Sequence, residues 1–304
     1  MSPALMTGVG LPEITAELIA SLGEHRVLST EQLRTIHLPG RSLRRMQQVL
    51  ASLESTGLLH HVDARVTPRR LWFLSESGAD LAAEAGGLPL RPKVLGPREA
   101  AGALRAHTLA VNDAAICFLR TARTRGDEFG PLSWRHEVAH PLSTGRGRRR
   151  RTLFADAVLT YVRLTEKIAY LDHVFLELDR ATLSVDRLAT ELGRYADLRR
   201  ASDTKGEPIW KRSYPSFPRV LCVLAGGSRE ALGRRRDIAL ALLRRDPQVK
   251  RTPELQISFC LLEDLDDAGP FAPIFQGLDD PELPIDWLGD PHDGTTVDER
   301  EKST

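Results

Sequence analysis

Two sets of residues in this 304-residue sequence have the types and spacing to do chemistry. The first is cationic and amide-bearing. Arg41, Ser42, Arg44, Arg45, Gln47 and Gln48 fall on or near the open side of a predicted helix, whose other side carries Leu43, Met46, Val49, Leu50 and Leu53. Arginine can pair with guanine edges and glutamine with adenine edges, while arginine or serine holds phosphate oxygens. Arg65, Arg69 and Arg70 follow on a strand–loop–strand segment, placed to meet a nucleic-acid backbone or minor groove. Arg146, Arg148, Arg149, Arg150 and Arg151 sit within the seven residues 145–151, a loop too charged to pack, where each arginine can neutralise one phosphate. The second set is acidic. Asp156 enters one predicted strand, and period-2 alternation puts Phe175, Glu177 and Asp179 on one face of the next. Glu191 and Tyr195 follow at i,i+4 spacing on a helix.

The elements that must position these residues can be read from periodicity and punctuation. Apolar residues at helical spacing predict a helix over 12–22. Ser29 with Gln32 three residues later is a capping box that starts a second helix, and Pro39-Gly40 stops it. A third helix runs over 42–55. Gly57 breaks it, Leu58-Leu59 opens a strand, residues 60–67 read as a polar turn, and residues 70–74 return as a strand. Ser77 is expected to cap a closing helix to about residue 84. That order predicts a winged helix-turn-helix over residues 12–86, whose second motif helix enters a major groove. His60 and His61 read as wing-surface residues. The Gly- and Pro-rich stretch 87–97 reads as a linker.

Residues 98–288 are expected to form an α/β domain with a mixed sheet. Its predicted parts are a helix over 98–123, in which His107 and Asn112-Asp113 are polar insertions, and strands over 132–141, 154–159 and 168–179. A helix over 186–200 and a strand over 219–224 come next. A Ser228-capped helix over 229–245, whose Arg234, Arg235, Arg236, Arg244 and Arg245 extend the basic surface, and a last strand over 255–262 complete it. Residues 289–304 read as an acidic, disordered tail.

Composition sets the partner class. The net charge is +1, yet residues 261–304 carry thirteen acidic and two basic side chains, leaving 40 basic against 28 acidic in residues 1–260. A basic body suits a polyanion, here double-stranded DNA. Three scattered cysteines without a CxxC argue against a disulfide framework or a zinc site. With no apolar run of membrane length and no signal-peptide pattern at the N-terminus, the expected location is the cytoplasm, with no membrane partner.

The acidic set, with its strand–strand–helix order, resembles the PD-(D/E)xK nuclease core. The resemblance implies that Asp156 and Glu177 hold Mg²⁺ between strands, the metal activating a water and neutralising charge on the phosphate. Glu191-x-x-x-Tyr195 looks like the QxxxY-type motif of some of these nucleases. Two positions depart from the pattern. Asp179 stands where a lysine normally orients the water; it can serve as a third metal ligand but not as an electrophile. Glu191 stands where a helix lysine is expected, and Lys167, Arg180 and Arg194 are the candidate substitutes. A phosphotyrosyl route through Tyr161, Tyr170, Tyr195 or Tyr214 has no histidine cluster beside it in the sequence to support it.

Over roughly residues 12–265 the chain resembles the replication-relaxation family of actinobacterial plasmids and integrative elements. The stretches that carry this are His107–Asp113, Phe154–Ala157, Phe175–Thr182, Phe217–Leu221 and Arg229, besides the N-terminal module. The family implies a DNA-binding protein of a mobile element, in plasmid replication, DNA relaxation or its control, with a nuclease-like domain that is either active or degenerate. A Mg²⁺-dependent nickase targeted by the winged helix and a transcriptional regulator with a dimerising second domain are the alternatives. A second copy of the chain and other replication or transfer proteins are the further partners considered.

Overall fold

The structure, a computed structural model, describes residues 12–63, 70–86, 103–143 and 151–290. The predicted linker, Arg65, Arg69, Arg146, Arg148, Arg149, Arg150 and the tail beyond residue 290 lie outside the described residues. The fold is mixed α/β, with a three-stranded sheet in the order β1-β3-β2 and a six-stranded mixed sheet in the order β4-β5-β6-β7-β8-β9. The chain divides into two compact units, Met1–Val138 with Ala155–Asp172, and Ala139–Phe154 with His173–Thr304.

The first unit opens with α1 (Glu13–His25), β1 (Leu28–Ser29), α2 (Thr30–His37), α3 (Leu43–Ser55), β2 (Leu59–Asp63), β3 (Arg70–Leu74) and α4 (Glu76–Gly86). The capping box forms: Ser29 Oγ accepts from the Gln32 N–H at 3.1 Å, and Gln32 Oε1 accepts from the Ser29 N–H at 2.9 Å. β2 and β3 pair antiparallel from Leu59↔Leu74 to Asp63↔Arg70. The strand therefore runs through His60-His61-Val62, where the sequence predicts a turn. It is half exposed, so its alternation is weak, and the His60 and His61 rings lean on Phe73 and Trp72. The closing helix starts two residues earlier than expected. Ser75 rather than Ser77 caps it, its Oγ accepting from the Gly78 N–H at 3.0 Å.

The long helix α5 (Ala103–Arg125) belongs to this unit and is bonded along α2, so the compact division does not fall at the predicted linker. Gln32 Nε2 donates to the Leu109 carbonyl at 2.9 Å and to Asp113 at 2.7 Å. Further along α5, the Arg123 guanidinium donates to the carbonyls of Thr35, at 2.6 Å, and Ile36. Beside the first of these sites Asn112, with 0% exposure, is a buried hub. Its Nδ2 donates to the Val27 carbonyl at 3.2 Å, and its Oδ1 accepts from Trp134 Nε1 at 3.0 Å and lies 2.9 Å from His136 Nε2. The Asn112-Asp113 pair is thus part of the core's polar framework.

A second buried polar group joins α1 to α2. The His37 side chain is fully enclosed, with Nδ1 3.3 Å from Glu17 and Nε2 3.0 Å from Ser21 Oγ. A neutral ring protonated on Nδ1 satisfies both. Burial holds the His37 pKa below its ordinary value, outweighing the pull of Glu17, and the nearby Arg123 lowers it further. The hydrogen bond from His37 in turn holds the Glu17 carboxyl below the usual range. The unfolded chain protonates His37 near pH 6.5, before the folded protein does, so its contribution is present above about pH 6.5 and is lost on acidification toward the folded pKa. Glu17's contribution is likewise lost as pH falls through its folded pKa. The urea midpoint is therefore expected to fall between about pH 7 and 5.5, and His37→Gln to shrink that fall; an equal pH slope in the variant would refute the assignment.

The second unit takes the C-terminal half of β6 (Ala169–Asp179), then α6 (Val185–Arg200), a 3-10 turn (Ile209–Arg212), β7 (Arg219–Leu224), α7 (Arg229–Arg245), α8 (Pro247–Lys250), β8 (Ile257–Leu261), α9 (Leu262–Ala268) and β9 (Gln276–Gly277). β4 (Trp134–Pro141) and β5 (Thr152–Leu164) complete the sheet order. β6, β7 and β8 are parallel, from Val174↔Arg219 and Val220↔Ile257 onward, and β9 closes antiparallel on β8. β7 and β8 are apolar along nearly their whole length, as central parallel strands should be. The predicted last strand, residues 255–262, ends instead at Leu261, and α9 follows with Glu263 and Asp264 in its first turn, complementing the helix dipole. The turn after β7 passes close to the turn after β6: a Cβ on Gly226, at φ +80°, would lie 2.9 Å from the Arg180 carbonyl oxygen. Cys117, Cys222 and Cys260 are buried thiols. No helix among the described residues is long and apolar enough to cross a membrane.

Candidate nucleic-acid interface

α3 sorts its residues sharply. Met46 and Leu50 are fully buried and Leu53 nearly so, while Arg41, Ser42, Arg44, Arg45, Gln47 and Gln48 are all exposed. Ser42 caps the helix, its Oγ accepting from the Arg45 N–H at 3.3 Å, so that oxygen is already committed. The first turn of α3 contains no acidic residue, and among the described residues neither Arg44 nor Arg45 meets a carboxylate. Their guanidiniums and the two glutamine amides are available to an outside acceptor. Arg70 is exposed but paired with Asp63 across the β2–β3 ladder, at 3.2 Å. Arg151 pairs with Asp197 at 2.9 Å beside a groove of about 280 Å³ lined by Leu142, Ser143, Arg200 and Ala201.

The carboxylates have specific partners, two of which the sequence does not signal. In the first unit, Asp156 on β5 lies 3.1 Å from His107 Nε2 on α5, each side chain about a third exposed. Two stretches of the family resemblance thus meet here. In the second unit, the Tyr195 hydroxyl donates to Glu177, and the Tyr195 ring packs 5.1 Å from Phe175. Phe175 and Glu177 therefore share the face of β6 that α6 covers. Asp179 is buried and accepts a forked pair from Arg235 on α7, with Nη2 at 3.1 Å from Oδ1 and Nε on Oδ2, while its Oδ1 also takes the Ala181 N–H at 3.2 Å.

The cation beside Asp179 is thus Arg235, which the sequence places among the surface arginines of α7. Of the three candidate substitutes for the missing lysine, Lys167 is exposed, Arg180 is half-buried, and Arg194 donates to the Thr152 carbonyl at 2.7 Å. Glu191 is exposed and bonded to Arg187 at 3.2 Å, one turn toward the helix N-terminus, rather than facing Tyr195's partner. Among the described residues no three His, Cys, Asp or Glu side chains group in a way that could hold a metal ion.

Tyr161 is a poor nucleophile by its surroundings. Burial, and then the hydroxyl's hydrogen bond to Asp127 at 2.8 Å, push its pKa well above the ordinary value. Burial raises the Asp127 carboxyl, but the Leu164 N–H, Tyr161 and Arg125 together hold it below the usual range.

An exposed helix bearing arginine and glutamine beside a small antiparallel sheet, followed in the same chain by a mixed α/β sheet, defines a two-unit α/β protein with a cationic helix face. The chain belongs to the replication-relaxation family, whose model matches residues 19–208, more than half of the sequence. Phe217–Leu221 and Arg229 lie beyond the matched span. Neither a search of curated proteins nor a search of solved structures returned a match.

Proposed function

We propose that this protein is a sequence-specific double-stranded DNA-binding protein of a mobile element, acting in plasmid replication or DNA relaxation or in its control. Residues 12–86 act as a winged helix-turn-helix, and the second domain is nuclease-like but holds DNA without cutting it. The observation that carries the reading is the outward set Arg44, Arg45, Gln47 and Gln48 on a helix whose opposite face is core. Membership of the replication-relaxation family supports the biological setting.

The donor set supports a non-cutting second domain. A Mg²⁺ centre needs carboxylate oxygens that are not otherwise engaged. Both oxygens of Asp179 are engaged by Arg235, Glu177 takes the Tyr195 hydroxyl, and Asp156 lies 3.1 Å from His107 Nε2. These residues do not fit the metal site that the nuclease resemblance implies, so no metal-dependent step is assigned to them.

The test is a footprint on the protein's own plasmid or element origin, run beside a nicking assay on supercoiled DNA with Mg²⁺ or Mn²⁺. Protection of a defined site without nicking is the expected result. Nicking that Asp156→Ala and Glu177→Ala abolish would overturn the non-cutting reading and establish a targeted nickase. Arg44→Ala and Arg45→Ala are each expected to cost about 1–3 kcal/mol of discrimination, roughly five- to 150-fold between cognate and scrambled duplexes. Unchanged discrimination in both variants would remove α3 as the reading element.

A further inference from the structure

Arg199, in the last turn of α6, has surroundings that play no part in reading DNA through α3. Its guanidinium carbon lies 5.0 Å from the centre of the Trp210 ring and 5.6 Å from that of Phe217. The two rings meet edge to face, 5.5 Å apart at 83°, so the guanidinium sits in the corner of an aromatic bracket. The bracket is anchored to the backbone of Arg199 itself, since Trp210 Nε1 donates to the Arg199 carbonyl at 3.2 Å. On the same Trp210 ring, Lys211 places its ammonium 5.9 Å from the centre.

What the bracket lacks is an acceptor. Arg199 Nε is buried and, among the described residues, meets no hydrogen-bond partner. A buried guanidinium donor left unmade costs free energy, and native structures leave few such groups without a reason. The neighbouring aspartates are already committed. Asp197 is held by Arg151 and Arg200, and Asp203 by Arg212. Residues 199–212 carry five basic and two acidic side chains, so the local field attracts anions.

Aromatic stacking also shapes what the site can recognise. It immobilises the planar group with Nε enclosed, so the Nη end is what can meet oxygens of a tetrahedral anion, a role for which arginine is suited and lysine is not. The adjacent ammonium adds a second, point-like charge. Spaced cations on a rigid aromatic base, within a chain whose first 260 residues carry the basic surplus, match a phosphodiester backbone.

We propose that Arg199 and Lys211, mounted on Trp210 and Phe217, bind phosphates of the DNA backbone, giving the second unit a contact that does not depend on α3. The inference rests on the DNA-binding reading. Its contribution is blind to sequence, because phosphate contacts position a protein on DNA without specifying bases.

The experiment is a salt titration of binding to a random-sequence duplex, followed by fluorescence anisotropy, with the full chain. Each phosphate contact contributes about 0.9 to the slope of log K against log salt. Arg199→Met, which keeps the stem packed, and Lys211→Met, an exposed change that spares the core, are each expected to flatten the slope by about that much. Arg199→Lys should keep the slope while weakening affinity, since it keeps the charge and loses the fork. An unchanged slope in both Met variants overturns the proposal. Arg44→Ala and Arg45→Ala, run in parallel on cognate and random duplexes, separate the two readings. If they change nothing while the Met variants flatten the slope, α3 is not the reader and the second-unit contact stands. If wild type binds no DNA, both readings fall.

Discussion

Arg235→Leu is expected to destabilise the protein by about 3–5 kcal/mol, as the breaking of a buried ion pair does when one charge is left behind. Asp179 is 7% exposed and Arg235 13%, so water cannot take over either side. The substitution leaves the carboxylate dependent on the Ala181 N–H, a single backbone donor in place of a guanidinium fork. The double variant Asp179→Leu with Arg235→Leu should recover most of the loss, because a buried pair replaced by apolar residues of similar volume is often neutral or better. Urea unfolding of the two single variants and the double closes the cycle. If Arg235→Leu unfolds at the wild-type midpoint, Asp179 has another charge partner and Arg235 does not tie α7 to β6. The functional corollary is equally direct. A carboxylate whose oxygens are needed to hold α7 against β6 is a structural anchor, and freeing it for another ligand would cost the fold.

Asn112→Ala should be of similar size, about 3–5 kcal/mol, for a different reason. No charge is involved. The amide satisfies the Val27 carbonyl, the Trp134 indole N–H and His136 at once, in a site with no exposure to water. Deleting it leaves buried donors and an acceptor unpaired and opens a cavity beside Trp134, whose ring stacks on His25 at 4.1 Å. Asp113→Ala, one position along, removes the bond from Gln32 at a half-buried site and should cost about 1 kcal/mol. Comparable losses in the two variants would show that the hub is not where the hydrogen-bond pattern puts it. Thermal or urea unfolding is sufficient, with near-ultraviolet circular dichroism as a check on Trp134.

Local signals are legible wherever one short stretch carries its own cause. The Ser29–Gln32 capping box, the apolar stripe of α3 and the shared face of Phe175 and Glu177 need only spacing to be read. β1 is not legible, because two residues give no alternation, and one of them also caps α2. β2 escapes for a related reason: only its first residue is fully buried, so His60-His61-Val62-Asp63 looks like a loop. Arg235 shows where more can be extracted. Leu232, Ala239 and Leu243 mark the buried stripe of α7, and Arg235 falls three after Leu232 and four before Ala239. Among the consecutive arginines Arg234, Arg235 and Arg236, the helical period sets Arg234 outward but does not separate Arg235 from Arg236, which falls four after Leu232 and four before Leu240. That its partner would be Asp179, 56 residues earlier, is a fact of tertiary packing that no local pattern contains. The pairing of His107 with Asp156 is hidden in the same way.

The bonds between α2 and α5 bear on whether the N-terminal module proposed to read DNA is portable. Gln32 is held at one end of α2 by Leu109 and Asp113, and the last carbonyls of that helix are held by Arg123. A fragment cut after Gly86 strips these donors and acceptors from the helix that precedes α3, and exposes the Val27 carbonyl that Asn112 covers. The cationic face of α3 is therefore not a cassette to be grafted elsewhere on its own. Its orientation is inherited from a helix that the sequence assigns to the next domain, so a transplant that works must carry α5 with it.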